Sequence, residues 1–375
     1  MCPPTSDHPA PPLGDDQPLK GLKVVELATV LAGPLVGTFL AELGADVLKI
    51  EPPGRGDVTR SWRLAGESQE GPGAYYAAAN GPKRIERIDL KTEEGQRTLG
   101  QHLDDADILI QNARPTSLDG LGLDPDTLAE RHPRLIHVHL LGFLDHPARG
   151  GYDIVVQAES GFLSMNGEPG GAPFRMPVAL MDVLAAHQMR SGLLLALYER
   201  ERTGRGAYIE TWLDASGFSG LANRATEHLV AGRTPEALGA LHPQIAPYGE
   251  LFTCRCGSVV VTAVGNDPQF RSLCSLLGQE ELADDARFAA NPDRVTHRTA
   301  LAELLSPLFA DIDAGPLLDE ALSRGIPLGR VKSVSEALSS GTGRAMTAAY
   351  DVEGTPVRHV RQVAFRIHRN GNRTT

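Results

Sequence analysis

Apolar residues fall along this chain in two kinds of short run that alternate. Residues 21–28 (GLKVVELA) are nearly continuous in apolar character, as in a strand covered on both faces. Residues 32–45 (AGPLVGTFLAELGA) have helical spacing, with Gly44 near the end as a C-terminal signal. Residues 46–53 (DVLKIEPP) return to strand patterning and close on two prolines. Strand, helix and strand within about thirty residues make a βαβ unit and imply a parallel sheet. The alternation continues with a short strand at 87–90, a helix at 92–103 capped by Thr92 and a strand at 106–115. A short helix at 123–133, a strand at 134–143, a long apolar helix at about 183–202 and a strand at 207–216 that enters a helix come next.

Beyond residue 216 the pattern changes. Residues 217–231 are mostly helical, and 249–264 read as a hairpin turning near 255–258. Helical stretches occupy 267–277, 281–284, 297–305 and 314–324, and strand patterning returns after residue 330 and again near the end. These patterns predict an open, mostly parallel, Rossmann-like α/β sheet domain over 19–224. A smaller α+β domain spans 225–330, and residues 331–375 return to the large domain. Residues 1–18, rich in proline and aspartate, are expected to be a disordered tail.

Composition narrows the function. The 375 residues suffice for about two domains with full cores. A net charge of −11 argues against nucleic acid or an anionic membrane as the main partner, while leaving room for a local basic pocket. Four cysteines are too few for a disulfide framework, and the N-terminal stretch lacks the apolar core of a signal peptide. No apolar run approaches the roughly 18 residues of a membrane span. The expectation is a cytoplasmic protein.

Candidate chemistry centres on residues 151–201. A Gly-Gly-Tyr-Asp turn at 150–153 opens an apolar run, a Gly/Pro-rich loop covers 166–173, and Asp182 stands at the start of the long helix. A carboxylate there can cap free backbone N–H groups, which with the helix dipole would keep it ionised. The same carboxylate, held beside a pocket, can be a nucleophile. The residues alone leave both roles open. His137 and His139 share one face of a strand and are metal ligands or satisfied buried histidines, the second being commoner. Cys254-x-Cys256 has no second pair or nearby histidine, so no metal is assigned. Arg55, Arg60, Arg63, Lys83, Arg84 and Arg114 lie on three loops next to strands, where basic groups can converge on a phosphorylated ligand or simply be solvated. A dinucleotide fingerprint, a Walker A loop and a Gly-x-Ser-x-Gly elbow are all absent.

Many segments in order resemble the family III CoA-transferases, the CaiB/BaiF group: GLKVVELATVLAGPLVGTFLAELGADVLKIEPPGRGDVTR, KRIERIDLKTEEG, the NARP loop, GYDIVVQAESGFLSMNGEP, the helix of Asp182, RERTGRGAYIETWLDAS and HPQIAPYGELF. The resemblance runs from about residue 19 to 367. It implies an acyl-CoA:carboxylate CoA-transferase working through an aspartyl anhydride and an aspartyl-CoA thioester on Asp182, with Tyr152 as a positioning group. It implies coenzyme A contacts from Val30, Leu31, Ala32, Asn80, Lys83, Arg84, Asn112 and Arg114. CoA enters as a substrate, with no permanently bound cofactor and no metal. The family fold is an interlocked homodimer whose second domain supplies acyl-side contacts. The chain departs from the family in three places. The racemase branch has Gly-His-Asp where this chain has Gly151-Tyr152-Asp153, which weakens an α-methylacyl-CoA racemase reading because a phenol is a poor base near neutral pH. Only Leu238-Gly239-Ala240 stands where some members carry a glycine-rich run, and the chain ends soon after Ile367. The alternatives to transfer are therefore a racemase-like isomerase and a CoA-binding protein without turnover.

Overall fold

The computed structural model of the chain describes residues 17–117 and 120–368, and most of the expected tail lies outside them. Two compact units form, one from 17–164, 174–235 and 345–368, the other from 165–173 and 236–344.

The larger unit begins with β1 (Lys23–Glu26), α1 (Ala32–Glu42), β2 (Asp46–Glu51), α2 (Ala74–Ala79) and β3 (Arg84–Arg87). It continues through α3 (Glu93–Asp104), β4 (Ile108–Gln111), α4 (Pro125–Arg131) and β5 (Ile136–Leu141). Next come α5 (Asp153–Glu159), the short α6 (Phe162–Met165), α7 (Leu180–Thr203), β6 (Ala207–Trp212), α8 (Leu213–Gly220) and α9 (Ala222–Ala231). The six strands form one parallel sheet in the order β3-β2-β1-β4-β5-β6. This is the open parallel sheet that the alternation of apolar runs predicts. The four inner strands, β1, β2, β4 and β5, are buried on both sides because both faces are covered. Ile108, Ile110, Ile136 and Val138 pack with α1 and α7, while Val25, Leu48, Leu109 and Leu135 pack with residues of α3 and α4.

Strand β3 lies three residues earlier than the apolar pattern suggested. Pairing with β2 sets it, with Leu48 opposite Arg84 and Glu51 opposite Arg87. Asp89 then turns the chain, accepting from the Lys91 N–H through its side chain and from the Thr92 N–H through its carbonyl.

Helix α7 is the long apolar helix, and its buried residues are spaced for one face. Met181, Ala185, Met189, Leu193 and Ala196 turn toward the sheet. Gly204 ends it at φ +73°, donating its N–H to the Arg200 carbonyl.

The smaller unit holds an antiparallel sheet of β7 (Tyr248–Thr253), β8 (Val259–Ala263) and, later in the chain, β9 (Leu328–Arg330). Between β8 and β9 come α10 (Asp267–Leu276), α11 (Asn291–Thr296), α12 (Arg298–Ala310) and α13 (Ala314–Ser323). Its core stacks Phe252 on Phe309 with ring centroids 4.4 Å apart. Arg294 is fully buried there, donating to the Ala246 and Phe288 carbonyls at 2.8 Å and to Asp267 at 2.6 Å.

After β9 the strand pattern read into 330–340 is overturned. Residues Val334–Leu338 form α14, followed by α15 (Gly341–Ala345). The cause is local. Ser333 accepts from the Glu336 N–H at 3.2 Å, and Glu336 accepts from the Ser333 N–H at 2.8 Å, a reciprocal capping box. The chain then returns to the larger unit as an antiparallel hairpin, β10 (Thr347–Val352) and β11 (Thr355–Val360). Glu42 on α1 anchors the segment after β11 by accepting the Gln362 and Val363 N–H groups at 2.9 Å.

The packing of α7 on the sheet gives a direct test. Leu193 is 0% exposed in the middle of that contact, so Leu193→Ala should cost about 3 kcal/mol. Hydrogen exchange of the α7 amides should accelerate by the corresponding factor. Unchanged exchange in α7 would contradict the packing described.

Candidate active site

The start of α7 is built by a residue distant in sequence. The turn before α5 lies directly on the end of β5. A Cβ on Gly151 would sit 2.7 Å from the Gly142 Cα, and one on Gly142 would sit 2.4 Å from the Gly151 nitrogen. Neither position can carry a side chain at this approach. Tyr152, 66% exposed, is the N-cap residue of α5, and Asp153 is the first helical residue. Asp153 Oδ1 accepts the Met181 N–H at 2.8 Å, and Oδ2 accepts from Gln157 Nε2 at 2.5 Å. Gln157 Oε1 in turn accepts the Met176 N–H at 2.9 Å. Asp153 thus does for α7 what a side-chain cap would do, from 28 positions earlier.

Asp182 is therefore not the cap. It is the third residue of α7, and its carboxylate accepts no hydrogen bond among the described residues. Burial pushes it up to about 7, and the neighbouring Asp153 adds to the rise. The expectation that the helix start keeps Asp182 ionised is corrected here, because desolvation and a second carboxylate oppose ionisation. The result is an acid that gains and loses its proton near neutrality and has both oxygens available.

Asp182 faces a cavity of about 470 Å³, within the size range of small-molecule sites. Its walls are the segments that follow β1, β4 and β5, with Trp62, Tyr75 and Arg175 completing it. In this sheet order the chain reverses direction of travel between β1 and β4, and a crevice opens beyond their carboxyl ends. Across that crevice the Thr29 N–H donates to Asn112 Oδ1 at 3.1 Å, and Asn112 Nδ2 donates to the Thr29 carbonyl at 2.9 Å.

The fold brings Val30, Ala32, Asn112, Arg114, Tyr152 and Asp182 together on this cavity. It does not bring the others. Leu31 is the N-cap residue of α1, half-buried beside the cavity wall. Asn80 is buried, donating to the Tyr76 carbonyl at 2.9 Å. The Lys83 ammonium is buried against Glu26 at 2.8 Å, and burial pushes its pKa down to about 8. Arg84 pairs through two nitrogens with Asp46. Lys83 and Arg84 border a separate shallow hollow with Glu86, Asp351 and Glu353. The wider basic cluster also disperses. Arg60 is held by Glu51 at 2.6 Å and Glu353 at 2.7 Å, and the Arg63 side chain donates to the Gly71 carbonyl at 2.5 Å.

Residues that sequence reading missed complete the cavity. Tyr75 is half-buried there, its phenol raised by burial and then by Asp182, Asp153 and Asp57, and Trp62 meets it edge-on with centroids 5.1 Å apart. Trp62 follows a short 3-10 turn and Tyr75 lies on α2, and neither carries a motif that marks it in the sequence. Arg149 is held by Glu159 in a two-point pair at 2.6 and 2.9 Å. Arg175 has no ion pair among the described residues. His137 and His139 lie away from this cavity, stacked with ring centroids 5.9 Å apart. His137 contacts Gln111, and His139 contacts the Ala113 carbonyl and Tyr208. Burial lowers both pKa values, that of His137 to about 3, as for neutral buried imidazoles.

Comparison with known proteins gives one answer. The model of CoA-transferase family III matches residues 19–375. The succinate–glutarate CoA-transferase of Agrobacterium fabrum is 37% identical, over 92% of this chain and 88% of its own length. The acetyl-CoA:oxalate CoA-transferase of Acetobacter aceti is 35% identical, over 89% and 85%. A crystal structure of a CaiB/BaiF family protein from Brucella suis superposes with a TM-score of 0.82 at 37% identity, covering 94% of this chain and 93% of that one. With its six-stranded parallel sheet and a cavity at the switch point of that sheet, the chain belongs to family III of the CoA-transferases.

Proposed function

We propose that this enzyme moves CoA from an acyl-CoA thioester to a free carboxylic acid with Asp182 as the nucleophile. The observation that carries the reading is the unused carboxylate of Asp182 on the cavity, left open because Asp153 serves the helix start. In the ionised form an Asp182 oxygen attacks the thioester carbonyl, the C–S bond breaks, and CoA thiolate leaves behind a mixed anhydride. The thiolate then attacks the aspartyl carbonyl and expels the donor's carboxylate, giving an aspartyl-CoA thioester. The acceptor carboxylate attacks that carbonyl and releases the thiolate. A last attack by thiolate on the new anhydride yields the product thioester and restores Asp182. Every step keeps an activated acyl group, and exclusion of water protects it from hydrolysis.

The CoA side of the cavity is assigned to Val30, Ala32, Asn112 and Arg114, with Leu31 beside that wall. Arg114, like Arg175, makes no ion pair among the described residues and suits a phosphate. The Asn112 amide acts at one remove, through Thr29. Asn80, Lys83 and Arg84 would act from outside the cavity. Arg175 suits the distal carboxylate of a dicarboxylic acid, which accords with the glutarate and oxalate in the names of the two relatives. A racemase would need a second base, and the exposed Tyr152 does not favour one. The homodimer and a cytoplasmic location remain part of this reading. Leu195 and Tyr198 on α7 and Leu229 and Val230 on α9 are exposed apolar groups that a partner would cover. Among the described residues no helix is long and apolar enough to cross a membrane.

Incubation with acyl-CoA followed by borohydride or hydroxylamine should inactivate the enzyme with modification at Asp182. Asp182→Ala should lose transfer, and full activity in that variant would contradict the reading. Arg175→Met should raise the KM of a dicarboxylic acid by about 10- to 100-fold. The KM of a monocarboxylic acid should stay unchanged, and a loss shared by both acids would remove the assignment of Arg175.

Asp182 also sets a pH dependence with a definite sign. The folded carboxyl titrates near 7 against 3.8 for an ordinary aspartate. Between those values the folded protein holds a proton that the unfolded chain has released, so this group's contribution to stability is lost as pH rises through about 7. Asp182→Asn should therefore be more stable than the native protein at pH 8, by up to about 4 kcal/mol. The gain should shrink toward zero near pH 4. Equal unfolding midpoints at pH 8 would show that Asp182 is an ordinary, solvated aspartate.

A further inference from the structure

The turn between β1 and α1 carries a strained residue on the cavity wall. Val30 has φ +72°, a backbone region that a β-branched side chain disfavours. Such a conformation costs on the order of 1–3 kcal/mol and persists only where its surroundings fix it. Here Asp57 Oδ2 accepts the Val30 N–H at 3.2 Å, while Asn112 holds both backbone groups of Thr29 next door.

Asp57 is itself fixed on every side. It is fully buried, accepts from the Thr59 N–H at 3.0 Å and the Thr59 hydroxyl at 2.8 Å, and pairs with Lys49 at 3.0 Å. Lys49 also donates to Glu26 at 3.1 Å and to the Ala28 carbonyl at 2.8 Å. Glu26 receives the Lys83 ammonium at 2.8 Å, and Lys83 donates onward to the Pro34 carbonyl at 2.8 Å. All four ionic side chains have 0% exposure. Two ammonium groups and two carboxylates balance in charge; Lys49 and Asp57 touch the turn itself, at Ala28 and Val30, and Lys83 holds Pro34 in the first turn of α1. A buried ion chain of this kind is costly to desolvate and is weak evidence for stability alone. Its contacts with one strained turn point to a role in holding that turn's shape.

We propose that Asp57 is a positioning residue for thioester binding: fixed by Lys49, it holds the Val30 N–H and with it the β1–α1 wall of the cavity in the binding geometry. The inference rests on the CoA-transferase reading of this cavity. Lys49, Glu26 and Lys83 are the supports that keep Asp57 and the turn in register, and none of them lines the cavity.

The test is a pair of substitutions read on both substrates. Asp57→Asn should raise the KM of the acyl-CoA by at least about tenfold, with kcat and the KM of the acceptor acid changed by less than about threefold. Glycine adopts positive φ without strain, so adding Val30→Gly to Asp57→Asn should lower the acyl-CoA KM by at least about threefold relative to Asp57→Asn alone. A merely structural role would lower the unfolding midpoint and affect both substrates alike, with no rescue by glycine, and that outcome would overturn the proposal. Should Asp57→Asn not fold, Thr59→Val removes one donor to Asp57 and leaves every charge paired. It should raise the acyl-CoA KM at least about fivefold, lowered again by Val30→Gly, and a KM changed by less than about threefold would overturn the proposal. Calorimetric binding of free CoA to the same variants should show the same order. That arm tests the positioning role even if no acid accepts CoA, so its failure is distinguishable from failure of the transferase reading.

Discussion

One hydrogen bond, from the Met181 N–H to Asp153, decides what Asp182 can be. The first turn of any helix has N–H groups in want of acceptors. An acid in that turn ordinarily supplies one and is thereby ionised and occupied. In this protein the acceptor comes from the first turn of another helix, α5, and is itself steadied by Gln157. Asp182 is left in a poorly hydrated cavity beside a second carboxylate, with its proton held near neutrality. A carboxylate without hydrogen bonds and with little water is a stronger nucleophile than one that caps a helix. The arrangement works only because Gly142 and Gly151 let the turn before α5 lie flat on the end of β5.

The sheet supplies the place. Where strand order changes between β1 and β4, Thr29 and Asn112 meet over the gap. The buried charges beneath this crevice stand on neighbouring elements: Glu26 on β1, Lys49 on β2, Lys83 ahead of β3 and Asp57 after β2. Each alone would be too costly to bury, and together they leave no net charge and no free ammonium. Strands, charges and turn therefore fix one another, and the cavity wall takes its shape from that mutual constraint.

How much of this was legible in the sequence depends on how far apart the interacting residues lie. The alternation of apolar runs gives the parallel sheet directly, because β1, β2, β4 and β5 are buried on both faces and are written as such. Asp182 was legible as an acid at the start of a helix. Its freedom from capping was not, since the residue that replaces it lies 28 positions away. Lys83 reads as a basic loop residue ready for a phosphate, and nothing local announces Glu26, 57 positions earlier, which holds it. By contrast α14 was missed although its signal is local. Ser333 and Glu336 have the spacing of a capping box, and the apolar residues around them suggested a strand. Arg175 and Tyr75 carry no pattern at all and become candidates only when the fold lines them along one cavity.

The central claim is that Asp153 occupies the start of α7 and, with burial, holds the Asp182 carboxyl near neutrality. Infrared difference spectra with isotopically labelled aspartate, assigned by comparison with Asp182→Asn, would follow this one carboxyl through pH. A midpoint near 7, moving down when Asp153 is replaced by asparagine and its charge removed, is the result this account predicts. A midpoint in the ordinary aspartate range, unmoved by the Asp153 substitution, would contradict it.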